Sequence, residues 1–293
     1  MEHLLSHILP KWDVIYQRVE GVKLFAINLL LDVTMKIQAP KAPSGTIRVA
    51  AVQYKAIQDN KAGNLRELEQ FIIQAAQAGA KLVVLPEMCI TGLLIGGREN
   101  ASNLAETIPG STTDRFSDLA DRFNIYIVFG LITREGDLPH FHNSQVLLSP
   151  TGQILACYDK HHLFGPDWHW ADPGTNGFKA VPTDLGIIGL GICYDINFND
   201  LWTFLLGNGV DMFAFSTNWV EECSPLPFWE MAARQSGIVL IAANNWGGDQ
   251  SIGFSGESGV ICPDRGILAS SKPTGDSVVV ADIRLVAESL KSW

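Results

Sequence analysis

The sequence has no CxxC pair and no Cys/His spacing of the zinc-finger kind; its five cysteines, Cys89, Cys157, Cys193, Cys223 and Cys262, are odd in number and scattered. That usage excludes a disulfide-stapled scaffold and suits a reducing compartment. Positive charge is scarce: 21 Lys and Arg stand against 31 Asp and Glu, a net charge of -10. A surface that neutralises phosphates needs the opposite balance, so neither nucleic acid nor an anionic membrane is expected as a partner. Long apolar runs are missing as well. The stretch from Leu24 to Val33 is broken by Asn28 and Asp32 and falls far short of the roughly 20 residues that span a bilayer. The first residues lack the basic-then-apolar layout of a signal peptide, which makes the cytoplasm the expected location. No glycine-rich turn follows the first strand, which excludes a dinucleotide-binding unit.

What the chain does have is length and apolar content. Its 293 residues, 47% hydrophobic and 18% charged, suffice for a large core. Residues 1 to about 36 read as helical, with Trp12, Ile15, Tyr16 and Val19 at helix spacing, and 38–45, with two prolines and a glycine, read as a linker. The expected organisation is a helical extension and linker over 1–45, then one domain over 46–293. Within that domain the patterning predicts helices over 61–78, about 113–123, 199–207 and 228–236. Strands are predicted over 47–54, 81–87, 125–131, 144–149, 154–160, 186–195, 211–217 and 238–244, with late strands over 258–262, 266–270 and 277–283. Buried parallel-type strands together with hairpins imply an α/β layered sandwich containing mixed sheets.

Three polar residues fall at the ends of predicted strands, where a rigid scaffold can present them to a cleft: Glu87, Lys160 and Cys193. Singly, each has an ordinary explanation as a solvated carboxylate, a solvated amine or a small buried hydrophobe. Jointly, LVVLPEM, YDKHHLFG and GICYD occur in that order, 73 and 33 residues apart, with STNW at 216–219. The set resembles the three catalytic segments of the nitrilase superfamily of carbon-nitrogen hydrolases, and the likeness runs from about Ile47 to Ile283.

That resemblance implies an α-β-β-α sandwich whose subunits pair into a four-layer αββααββα dimer or a larger homo-oligomer. It implies that Cys193 attacks an amide carbonyl, that Glu87 moves the protons, and that Lys160 with the Tyr194 N–H stabilises the oxyanion, with no metal or organic cofactor. Placed at a strand-to-helix turn, Cys193 is expected to be a low-pKa thiolate, more reactive than four buried thiols. Asp167 stands where many members carry a second glutamate; it either takes that role or caps a helix or loop. Tyr194, Asn218 and Trp219 are expected to line the pocket, although Trp219 fits the core equally well. Loops 90–105 and 251–257 are expected to shape the pocket. His162 is expected to order its loop. Cys89 is a rival thiol without a matching base. The CYD of Cys193 to Asp195, where nitrilases read CWE, favours a small amide as substrate over a nitrile. The following INFND holds no arginine to grip a carboxylate, so the substrate is expected to be uncharged near its scissile bond. An N-carbamoyl amide hydrolase, a nitrilase and a catalytically silent binding protein of the same fold are the alternatives.

Overall fold

The computed structural model describes residues 42–285 except 93, 137, 221 and 249–251. The helix expected over 1–36 and most of the linker lie outside the described residues. Among the described residues, no helix is long and apolar enough to cross a membrane.

Two six-stranded sheets form the body. The first runs in the order β14 (Ser277–Ile283), β1 (Ile47–Gln53), β2 (Leu82–Val84), β3 (Tyr126–Arg134), β4 (Phe141–Leu148), β5 (Ile154–Asp159). The second runs β13 (Gly266–Ser270), β12 (Gly259–Cys262), β9 (Val239–Asn244), β8 (Met212–Thr217), β7 (Gly186–Ile192), β6 (Lys179–Thr183). In each, three central strands are parallel, β1-β2-β3 and β7-β8-β9, and the flanking strands are antiparallel. A small hairpin, β10 (Trp246–Gly248) with β11 (Gly253–Ser255), lies beside them. The sheets are therefore mixed, as the patterning implies.

Strand side chains alternate between faces, and the layers follow from that alternation. Val49 and Ala51 of β1, with Met212 and Ala214 of β8, fill the space between the sheets. Ala50 and Val52 instead face Leu68 and Ile72 of α1 (Lys61–Gln77) and Phe116 of α3 (Ser111–Phe123). On the other side, Phe213 and Phe215 meet Leu201 and Leu205 of α4 (Asn199–Gly207) and Trp229 and Ala233 of α5 (Leu226–Ser236). The result is the expected α-β-β-α sandwich.

Several boundaries differ from expectation. Helix α2 (Arg98–Leu104) sits in the stretch taken as a loop, its start masked by the preceding Gly96 and Gly97. Strand β6 is missing from the sequence reading because it is short and carries Pro182, which an edge strand tolerates. Strand β7 stops at Ile192, three residues early, because Cys193 takes a left-handed backbone with φ of 42°.

Close approach fixes Gly130 in β3: a Cβ there would lie 2.7 Å from the Met88 nitrogen and 2.9 Å from the Glu87 Cα. At Gly207, the end of α4, a Cβ meets nothing within 4 Å. Gly130→Ala is therefore expected to lower the urea midpoint, and Gly207→Ala to raise stability by about 0.5–1 kcal/mol. Equal shifts of the same sign in the two variants would contradict this packing.

Candidate active site

Glu87 leaves the sheet just past β2. Leu85 still donates its N–H to Val128 at 2.8 Å, Pro86 has no N–H to continue the ladder, and the Asn245 side chain donates to the Glu87 carbonyl at 3.1 Å. The Glu87 side chain is 3% exposed. Its Oε1 accepts from Asn143 Nδ2 at 2.7 Å and from Lys160 Nζ at 2.8 Å. Its Oε2 is buried and has no hydrogen-bond partner among the described residues.

Lys160 follows β5, its N–H donating to the Asn143 carbonyl at 2.8 Å. Its ammonium donates to Asp167 Oδ2 at 2.7 Å as well as to Glu87. Asp167 lies in a single 3-10 turn, Gly165–His169, and the same oxygen accepts the Phe164 N–H at 3.2 Å. It thus holds the lysine and caps its own turn at once.

Cys193 opens a second 3-10 turn, Cys193–Asn197, at the end of β7. The fully buried Asp195 carboxylate fastens this turn. It accepts from the Ile192 N–H at 3.0 Å, the Tyr158 hydroxyl at 2.7 Å and the His162 N–H at 2.9 Å. His162 Nδ1 lies 3.1 Å from the same carboxylate and Nε2 lies 3.1 Å from Asp200, while the ring stacks on Phe198 with centroids 3.7 Å apart. The loop after the lysine is thereby tied to the turn that carries the cysteine.

Glu87, Lys160, Asp167, Cys193 and Asn218 all line one cavity of about 50 Å³, walled further by Leu94, Phe164 and Phe254. At roughly 10–15 Å³ of such volume per water it admits only a small group. Leu94 and Phe254 come from the two loops expected to shape it. Asn218 turns its Oδ1 to Asn245 Nδ2. Of the two readings open for Trp219 the core one holds, since it packs against Phe228 and Trp229. The Tyr194 ring rests on Phe164 and Phe198 rather than lining the cavity. Cys89 is fully buried, its Sγ directed at the Gly130 carbonyl. Sequence reasoning missed Asn143 and Asp195; the signals were a polar residue in the wholly buried strand β4 and the acid directly after CY.

Burial is the main influence on the cysteine and pushes the Cys193 thiol up to about 12; the nearby Glu87 charge adds to this, while Lys160, the Thr217 hydroxyl and the Asn218 N–H act against it. The resting residue is a thiol, which corrects the expected low-pKa thiolate. Nor are the other four cysteines all buried, since Cys223 is exposed. Burial also raises the Glu87 carboxyl above the usual range, opposed by Lys160 and reinforced by the Asp167 charge. Burial disfavours the Lys160 ammonium, but the Glu87 and Asp167 charges outweigh it and raise its pKa well above the ordinary value. Lys160 stays charged, and Glu87 is poised to take a proton.

Ligand atoms of His161, His162 and Asp200 lie within 4.8 Å of one another. His162 spends both ring nitrogens on Asp195 and Asp200, and His161 Nδ1 faces the Gly174 carbonyl, so the cluster is short of free ligands for a metal.

Burial acts to lower the His162 pKa, but the hydrogen bonds and charges of Asp195 and Asp200 prevail and raise it above 6.5. The stability this contributes is full below the unfolded value of about 6.5 and is lost as pH rises through the higher folded value. The stability gap between the natural protein and His162→Gln is expected to be wider at pH 5.5 than at pH 9 by urea denaturation. A gap constant with pH would contradict it.

Comparison with known proteins places the chain in a family. The carbon-nitrogen hydrolase family matches residues 48–290. A nitrilase of Pyrococcus abyssi is 31% identical over 82% of this chain and 90% of its own. An omega-amidase of Homo sapiens is 30% identical over 82% of this chain and 89% of its own. Among solved structures, an amidase from Nesterenkonia sp. superposes with a TM-score of 0.72 at 22% identity, covering 84% of this chain and 93% of that one. This chain therefore belongs to the carbon-nitrogen hydrolase family.

Proposed function

We propose that the protein hydrolyses a small carboxylic amide to acid and ammonia or amine through a thioester on Cys193. The observation that carries this reading is the sharing of Lys160 Nζ between Glu87 Oε1 and Asp167 Oδ2. The sharing leaves Glu87 Oε2 unpartnered in a pocket that Cys193 also lines. One carboxylate oxygen is anchored and the other is free for proton transfer.

In this mechanism Oε2 accepts the Cys193 proton as sulfur bonds to the amide carbon, and the carbonyl electron pair moves to oxygen, stabilised by the Lys160 ammonium. Protonated Glu87 then delivers its proton to nitrogen, the C–N bond breaks, and the amine leaves. Water attacks the thioester, giving its proton to Glu87. Collapse of the second tetrahedral intermediate expels the Cys193 sulfur, which recovers that proton as the acid departs. Burial favours the neutral Cys193 thiol, so on this reading its proton passes to Glu87 as the sulfur attacks.

Amides are preferred over nitriles on this reading, because a nitrogen that must leave protonated needs the acid that Glu87 becomes. The matched relatives include both a nitrilase and omega-amidases by name, so the choice is open to direct test. Ammonia release from an amide and from the nitrile of identical side chain should show the higher kcat/KM for the amide. Cys193→Ala is expected to fall to background, and Glu87→Gln to lose about 100- to 10,000-fold, both with unchanged circular dichroism. A nitrile value equal to or above the amide's would overturn the preference, and turnover by Cys193→Ala would overturn the nucleophile.

A further inference from the structure

Lys160 donates to Glu87 and Asp167 and, on the reading above, serves the oxyanion. The charge that gathers on the Cys193 sulfur calls for a donor of its own. The end of β8 offers one. Strands β7 and β8 run parallel with Ile192 beside Ser216, which brings the next residue of each, Cys193 and Thr217, abreast.

Thr217 is 0% exposed, and its Oγ1 is buried without a hydrogen-bond partner among the described residues. Its neighbour Ser216 is equally buried but satisfied, accepting from Gln145 Nε2 at 2.7 Å and donating to the Leu85 carbonyl at 2.7 Å. A hydroxyl taken out of water and left unpaired is costly, and a catalytic role is one reason for a fold to retain it. The Thr217 carbonyl accepts the Asn245 N–H at 3.3 Å, and the Trp219 N–H donates to Asn244 Oδ1 at 2.9 Å. The backbone on either side of the hydroxyl is therefore held by the end of β9. Burial raises the pKa of the Cys193 thiol; against it act Lys160 and two groups of this strand end, the Thr217 hydroxyl and the Asn218 N–H. The sulfur becomes charged twice in the cycle, as its proton passes to Glu87 and as the second tetrahedral intermediate expels it.

We propose that Thr217 is a further catalytic residue, whose hydroxyl turns to the Cys193 sulfur and donates a hydrogen bond to it at attack and at expulsion. The hydroxyl keeps its own proton, so Glu87 remains the carrier and no atom changes hands at Thr217. Donation to a charged acceptor is the stronger kind of hydrogen bond, and a buried site magnifies it. This rests on the reading of Cys193 as the nucleophile.

The test uses the full chain with Thr217→Val, which keeps the shape and deletes the hydroxyl, and Thr217→Ser, which keeps the hydroxyl. For a small amide, kcat should fall about tenfold or more in Thr217→Val, with KM little changed. Thr217→Ser should recover most of the loss, and Thr217→Ala, which forces no methyl into the place of the hydroxyl, should repeat the Thr217→Val result. Alkylation of Cys193 by iodoacetamide at pH 8, followed by peptide mass mapping, reads the sulfur without turnover. It should be about threefold or more slower in Thr217→Val, because a rise of about one unit in pKa is partly offset by the greater nucleophilicity of a more basic thiolate. If Thr217→Val matches the natural protein in alkylation, or if Thr217→Ser is as slow as Thr217→Val, the assignment is overturned. If no amide is cleaved yet alkylation slows in Thr217→Val and recovers in Thr217→Ser, the hydroxyl's action on the sulfur stands and the amidase reading fails.

Discussion

A lysine buried between two carboxylates is the constraint from which the rest of the site follows. Lys160 is 2% exposed and Glu87 3%, and a charge so buried is tolerated only with hydrogen-bonded partners of opposite sign. Lys160 finds them in Glu87 and Asp167, and Asn143 adds a further donor to Glu87. Each carboxylate comes from a different part of the chain, the end of β2 and the turn after Lys160. Placing them together requires both sheet one and the loop that follows β5. Burial raises the Glu87 carboxyl above its ordinary range, the Lys160 ammonium opposes this, and the Asp167 charge adds to it.

The second sheet brings the thiol to that charged cluster. Strands β7 and β8 end side by side, and their last residues lead into Cys193 and Asn218. Asp195 then anchors the left-handed turn at Cys193 to Tyr158 and His162 of the lysine segment. Left-handed conformations of non-glycine residues cost of order 1–3 kcal/mol and persist where neighbours over-determine them. Asp195, with three donors within 3.0 Å, supplies that determination.

Much of this was legible in the sequence, and the failures have identifiable causes. Glu87, Lys160 and Cys193 close predicted strands, but what singled them out was the resemblance of LVVLPEM, YDKHHLFG and GICYD, in that order, to the catalytic segments of a known family. Asn143 and Asp195 were not legible as supports, since their partners lie 56 and 37 residues away along the chain and only packing selects them. Trp219 stayed open between cavity and core because the residues after β8 carry no periodicity to tell the two apart. The thiolate expectation counted the turn but not the desolvation, which is the largest influence on the thiol.

The central claim is that carbon is transferred to the sulfur of Cys193, and the direct measurement is of that bond. Acid-quenching the protein during turnover of a small amide, followed by peptide mass mapping, should find the acyl mass on the peptide containing Cys193. An acyl mass on Cys89 or Cys223, or turnover with no acylated peptide at any quench time, would contradict the account.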